Sequence, residues 1–178
     1  MTITRIGAGE LRVDRAVKLT AAAWSRRDQS AALSFGAVEA AQPLTVEREL
    51  RVDNFSASDQ VFAITPGFRY ATDQASGAVS VLVASSVRVP ARGHENVKVT
   101  LVIDPTKLAS WSLNGGSQGG NGAPLNGPEY DGYLTLTAGA EKLSVPWHVL
   151  PRKAANTEAG RVVRLRSGEG VQVTNTGT

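Results

Sequence analysis

Two histidines, His94 and His148, are the imidazoles this 178-residue chain has for acid-base work near neutral pH, and it has no cysteine for thiolate or soft-metal chemistry. A Ser-His-Asp arrangement needs an imidazole held by a carboxylate and turned toward an exposed serine. His94 falls in a turn beside Glu95, and His148 lies between Trp147 and Val149 on the outward parity of its strand. No serine sits on a strand-to-helix nucleophile elbow. Both imidazoles are expected at the surface, and no catalytic residue is expected. Two histidines could share a metal, but no local ligand pattern supports one. Gly115-Gly116-Ser117-Gln118-Gly119-Gly120 has the glycine spacing of a phosphate loop, yet Asn121 follows where lysine is required. Glu129 and Asp131 could join Asp104 as hard oxygen ligands for calcium, without the repeat of a dedicated calcium loop. No cofactor is expected, and calcium as a loop staple is the alternative.

What remains is recognition. Trp111 precedes a Gly- and Asn-rich stretch, Asn114 to Pro128, and an exposed indole there could stack on a sugar ring or a partner. Asn114, Asn121 and Tyr130 complete that candidate contact surface; packing at the end of a sandwich is the competing role for Trp111. Asn54-Phe55-Ser56 matches a glycosylation sequon, but asparagine at a strand end is equally explained by its ease in turns and its side-chain bonds to nearby backbone. The net charge of +3 comes from scattered cations, densest at Arg26-Arg27, Arg152-Lys153 and Arg161/Arg164/Arg166. A nucleic-acid groove would interleave aromatic residues with them, and only Trp24 is near, so no nucleic acid is expected and solvated strand faces are.

The elements that must position these residues read as strands. With 42% hydrophobic and 20% charged residues the chain has a globular composition. No apolar run approaches the roughly 20 residues of a membrane-spanning helix. Met1-Thr2-Ile3-Thr4-Arg5 lacks the features of a secretory signal, so either the protein is cytosolic or its start lies upstream. Glu10 to Leu19 reads as a short helix of about three turns, docked on something because it is too short to stand alone. Ala21 to Ala32 reads as a connector. From Leu33 the period becomes two. Leu44, Val46, Leu50 and Val52 share one parity, with Arg48 intruding and predicting a bulge or a sheet edge. Val97, Val99, Leu101 and Ile103 form the clearest inward set. Leu134 and Leu136, then Leu143, Val145, Trp147 and Val149, close the pattern. About seven strands in this span predict an all-β sandwich of two antiparallel sheets. The division expected is a helix and connector over 1–32, the sandwich over 33–151, a polar linker over 152–160, and the start of a second β-domain over 161–178. The last rests on Val171-Gln172-Val173-Thr174-Asn175, which echoes Leu50-Arg51-Val52-Asp53-Asn54.

Gly7-Ala8-Gly9 with Leu11 to Val17 resembles the end of the catalytic domain of large secreted subtilisin-like serine peptidases. Leu33-Ser34-Phe35-Gly36, Leu50 to Asn54, Asp131-Gly132-Tyr133-Leu134 and Val145-Pro146-Trp147 resemble strands of the fibronectin type III-like accessory domain that follows it. The resemblance implies an immunoglobulin/fibronectin type III-like sandwich and an extracellular or cell-surface location. It also implies a non-catalytic role: stabilising the catalytic domain and helping present protein substrates. The implied partners are that catalytic domain, neighbouring β-domains of the same parent and protein substrates. The Asp, His and Ser segments of the catalytic domain are missing, so the chain itself is not expected to be an enzyme. The alternative expectation is a free-standing cell-surface adhesion or carbohydrate-binding sandwich.

Overall fold

The computed structural model describes residues 2–10, 12–109, 129–154, 157–158 and 174–175. Strands β1 (Ala21–Ser25), β2 (Leu33–Ala40), β3 (Leu44–Asn54), β4 (Gln60–Phe68), β5 (Val79–Val83), β6 (Ser86–Val89), β7 (His94–Ile103), β8 (Tyr130–Ala138) and β9 (Glu141–Lys153) build two sheets. One has the order β1-β3-β7-β5 and the other β2-β9-β8-β4-β6. The mostly-β sandwich expected from the alternation is therefore present, with nine strands in place of about seven. A two-stranded pair, β10 (Thr157–Glu158) with β11 (Thr174–Asn175), stands apart from both sheets. Most of the expected second β-domain lies outside the described residues.

The strands form because every second side chain is apolar, so a pleated ribbon puts all of them on one face. Val97, Val99, Leu101 and Ile103 of β7 are buried, and Leu50 and Val52 of β3 lie beside them. Facing them from the other sheet are Leu33, Phe35, Phe62, Ile64, Val89, Leu134, Leu136, Val145, Trp147 and Val149. Trp147 is fully buried, and its indole N–H donates to the Gly67 carbonyl at 3.2 Å. Phe68 meets it edge-on, ring centres 5.0 Å apart. The approach is possible because residue 132 is glycine: a Cβ there would lie 1.9 Å from the Gly67 oxygen and 2.9 Å from the indole nitrogen.

Three expectations need correction, and a fourth holds in one of its two forms. Glu10 to Leu19 is not a three-turn helix; only Val13–Ala16 makes a single turn, with a second over Ile3–Ile6. Val13 and Val17 are exposed, so no packing stabilises a longer helix. Ala21–Ser25 is not connector but an edge strand, paired from Ala21↔Asn54 to Ser25↔Leu50, and the sandwich begins there rather than at residue 33. The sheets are not wholly antiparallel, because β2 runs parallel to β9. Of the bulge or sheet edge expected at Arg48, it is the edge that is found: β3 keeps a continuous register through Arg48, opposite Val99, and the pairing with β1 stops at Leu50. The irregularity is in β2, between Ser34 and Ala37, where Gly36 adopts φ +77°. Arg48 reaches from the edge of one sheet to the other, its Nε donating to the Ser34 carbonyl at 2.9 Å with the guanidinium 5.5 Å from the centre of the Phe35 ring. A cation is tolerated at this parity because the residue is only half-buried and its guanidinium donates to the Ser34 carbonyl beside the β2 irregularity.

Gly132→Ala is expected to lower the melting temperature by about 6–12 °C, corresponding to roughly 3 kcal/mol of overpacking against backbone that cannot yield. Gly139→Ala should cost about 1 kcal/mol, because its φ of +58° is strained for alanine while the space is open. Thermal unfolding followed by circular dichroism checks both; equal losses would mean that the Gly67 approach is not the tight point of the fold.

Candidate functional site

Strand β1 stops at Ser25 while β3 runs on to Leu44, so β1 covers only part of the edge of β3. In an antiparallel ladder alternate residues aim their peptide groups at alternate neighbours. Phe55 N–H donates to Thr20 at 2.7 Å and Arg26 N–H to Glu49 at 2.9 Å, which sets the odd-numbered residues of β3 toward β1. Asn54 N–H donates to Gly93 at 2.9 Å, so the even-numbered residues face β7. Beyond Arg26, Glu47 and Thr45 turn their peptide groups to a side where no described strand lies.

Over this open edge is a cleft of about 510 Å³ lined by Arg26, Arg27, Glu47, Arg48, Glu49 and Lys98. The turn after β1 places the first two: the Ser25 hydroxyl bonds the Asp28 carboxylate, and Ser25 N–H donates to Ser30 at 2.8 Å. Arg26 pairs with Glu49 at 2.5 Å and Lys98 with Glu47 at 3.1 Å across the outer face. Such exposed pairs are each worth about 0.2–1 kcal/mol, so neither carboxylate locks its cation. Arg27 makes no ion pair among the described residues. Four cations against two carboxylates leave a site that attracts anions.

Two other clusters are built for structure. Asn54 is buried, and its Nδ2 donates to the carbonyls of Ser58 at 2.8 Å, Pro90 at 3.1 Å and Val89 at 3.2 Å. Its Oδ1 accepts from Ser56 N–H at 3.0 Å and the Ser56 hydroxyl at 2.7 Å. The sequon asparagine is thus a knot between two turns, with its amide nitrogen occupied. On the outer face of the five-stranded sheet, the N-terminal segment lies across β8. Ile3 N–H donates to Asp131 Oδ2 at 2.5 Å, the Thr4 hydroxyl bonds Glu129, and the Tyr133 hydroxyl donates to the Ala8 carbonyl at 3.2 Å. Asp131 is fully buried, and its Oδ1 has no hydrogen-bond partner among the described residues. Burial pushes the Asp131 carboxyl above the usual range, Ile3 N–H and Arg69 oppose the rise, and Glu129 adds to it. Burial, and then the neighbouring Asp131, raise Asp73 as well.

Of the residues singled out from sequence, Trp111, Asn114, Asn121 and the glycine run Gly115 to Gly120 lie outside the described residues. Tyr130 is core, 6% exposed, and its ring offers a partner no platform. Burial raises its phenol above the ordinary value. His94 is the first, exposed residue of β7 rather than part of a turn, and lines a cleft of about 270 Å³ with Arg51, Asp53 and Arg92. His148 lies on β9 in the other sheet, opposite Asp131. Asp104 caps a short 3-10 turn, Pro105–Lys107, accepting from Thr106 N–H at 3.0 Å, and stays separate from Glu129 and Asp131. No group of three or more His, Asp or Glu side chains among the described residues is placed to hold a metal. Arg26-Arg27 was legible as a basic pair. Arg48 and Lys98 joining it was not, although an arginine on a buried parity was the available signal.

No family model matches this chain, and no curated protein matches it. Solved structures with a similar fold include a FixG-related protein from Vibrio parahaemolyticus, at 14% identity and TM-score 0.46 over 75% of this chain and 97% of that one. The CooA pilin subunit from enterotoxigenic Escherichia coli aligns at 13% identity and TM-score 0.40, over 75% and 98% of the two chains. A putative carbohydrate binding protein from Bacteroides ovatus aligns at 9% identity and TM-score 0.40, over 77% and 40%. Among the described residues no helix is long and apolar enough to cross a membrane.

Asn54→Ala strips partners from three carbonyls and is expected to cost about 2–4 kcal/mol, read by urea denaturation; a loss under about 1 kcal/mol would show that water replaces the amide freely. For Asp131 the folded state holds its proton more tightly than the unfolded state. Its burial therefore lowers stability as pH rises from the unfolded value of about 3.9 through the raised folded value. The melting temperature of Asp131→Asn relative to the parent should climb with pH across that window, with Asp73→Asn giving a change of the same sign. A pH-independent difference between about pH 3.5 and 7 would remove Asp131 as the source.

Proposed function

We propose that this chain is a non-catalytic β-sandwich interaction module that holds an anionic partner in the cleft lined by Arg26, Arg27, Arg48 and Lys98. The observation that carries this is the excess of cations over carboxylates at a concave opening beside the free edge of β3. Concave sites with a few converging charged groups are where ligands gain both burial and orientation. A cell-surface or extracellular adhesion role suits such a module, because charge steering speeds encounters with an extended partner.

A second reading is favoured by one further observation. Of the exposed large apolar side chains, Ile6, Val13, Val17 and Leu19 fall in one stretch of the N-terminal approach. Packed against a neighbouring domain they would be covered, as in an accessory domain beside a subtilisin-like catalytic domain. The loss of the expected three-turn helix removes part of the support for that neighbour.

Heparin and polyglutamate immobilised at physiological salt test the first reading. The parent should be retained by at least one, and Arg27→Gln/Lys98→Gln should lower affinity at least tenfold while the melting temperature stays within a few degrees of the parent's. Retention by neither anion, or equal retention of parent and variant, would end it.

A further inference from the structure

Resting on the assignment of the basic cleft as a binding site, we infer that its occupant is an extended acidic peptide that adds a strand to β3 alongside Thr45 and Glu47, continuing the line of β1. Three observations converge there. First, the ladder between β1 and β3 ends at the Arg26–Glu49 hydrogen bond, while β3 and β7 stay paired to Leu44↔Ile103. The backbone beyond is thus held in strand geometry by its other neighbour and needs no ordering to accept a new strand. Second, the odd-numbered register leaves the peptide groups of Thr45 and Glu47 aimed outward; among the described residues the Glu47 carbonyl is taken by Arg48 Nη1 at 2.8 Å. Sites of this kind bind by main-chain hydrogen bonds, with side chains on alternate positions read by flanking pockets. Third, those flanks are cationic: Arg26 and Arg27 stand at the end of the gap, and Lys98 lies one strand inward on the outer face.

Charge decides the class of peptide. An incoming strand sends alternate side chains to the outer face, next to Glu47 with its partner Lys98 and toward Arg26 and Arg27. The cleft's cations outnumber Glu47 and Glu49, so carboxylates are favoured there. Glu47 and Glu49 hold Lys98 and Arg26 only in weak exposed pairs, so an incoming carboxylate can share those cations. Charges at an open edge also discourage indiscriminate pairing with other strands. Here their net sign selects among strands instead of excluding all of them. A sulfated glycan would satisfy the cations but has no use for the peptide groups of Thr45 and Glu47.

The test uses a nine-residue peptide of alternating glutamate and valine, its lysine counterpart, and two N-methylated versions of the acidic peptide, blocked at alternate amides in either frame. Heparin is the competitor without a peptide backbone. Fluorescence anisotropy should show the acidic peptide bound, the lysine peptide at least tenfold weaker, and one of the two N-methylated frames at least tenfold weaker while the other is retained. Amide exchange in the complex should slow at Thr45 and Glu47 by at least tenfold and leave Val46 unchanged. Equal binding of both N-methylated frames, or heparin binding without any peptide binding, would overturn strand addition while leaving the cleft an anion site. Binding of neither heparin nor peptide would remove the cleft as a binding site altogether.

Discussion

The fold depends on one close approach in the middle of the five-stranded sheet. Because residue 132 has no side chain, the Gly67 carbonyl can come within reach of the Trp147 indole, and three strands are drawn together around the largest buried ring of the protein. The indole supplies apolar area to the core and a donor to a carbonyl, so its one polar atom carries no desolvation penalty. Phe68 fixes the plane of the ring from the edge. Strand β6 attaches outside β4 and strand β2 outside β9, so the placement of both edges follows from that centre.

Around that core, buried polar side chains divide into satisfied and unsatisfied. Asn54 uses donor and acceptor alike and ties the turn after β3 to the turn before β7. Arg48 uses its guanidinium to close the side of the sandwich where β2 bulges. Asp131 differs, since one carboxylate oxygen takes the Ile3 N–H and the other takes nothing among the described residues. The outer face of β8 therefore carries its buried charge incompletely compensated, while the cleft at the other edge keeps its charges exposed and exchangeable.

How much of this was legible follows from what each signal depends on. Val97 to Ile103 and Leu143 to Val149 were readable because burial on one face of a strand imposes a period of two directly on the residues. Ala21 to Ser25 was not, because alanine has little strand preference and its pairing with β3 is decided by the partner. The apolar spacing of Glu10 to Leu19 suited a helix locally, but Val13 and Val17 are left exposed, and a short helix without packing does not persist. The parallel pairing of β2 with β9 and the meeting of Arg26 and Arg27 with Arg48 and Lys98 are tertiary facts, set by elements distant in sequence. Only the misplaced parity of Arg48 hinted at them.

The parallel pairing of β2 with β9 joins Leu33 to Trp147 and Ala40 to Lys153, contacts that span most of the chain. Pairings of that separation carry a large loop-closure entropy and slow the search for the native topology. During synthesis, Leu33 and Phe35 leave the ribosome well before the strand that covers their edge exists. The Gly36 bulge breaks the regular run of peptide groups along that strand, and an interrupted edge is a poorer template for a wrong partner than a straight one.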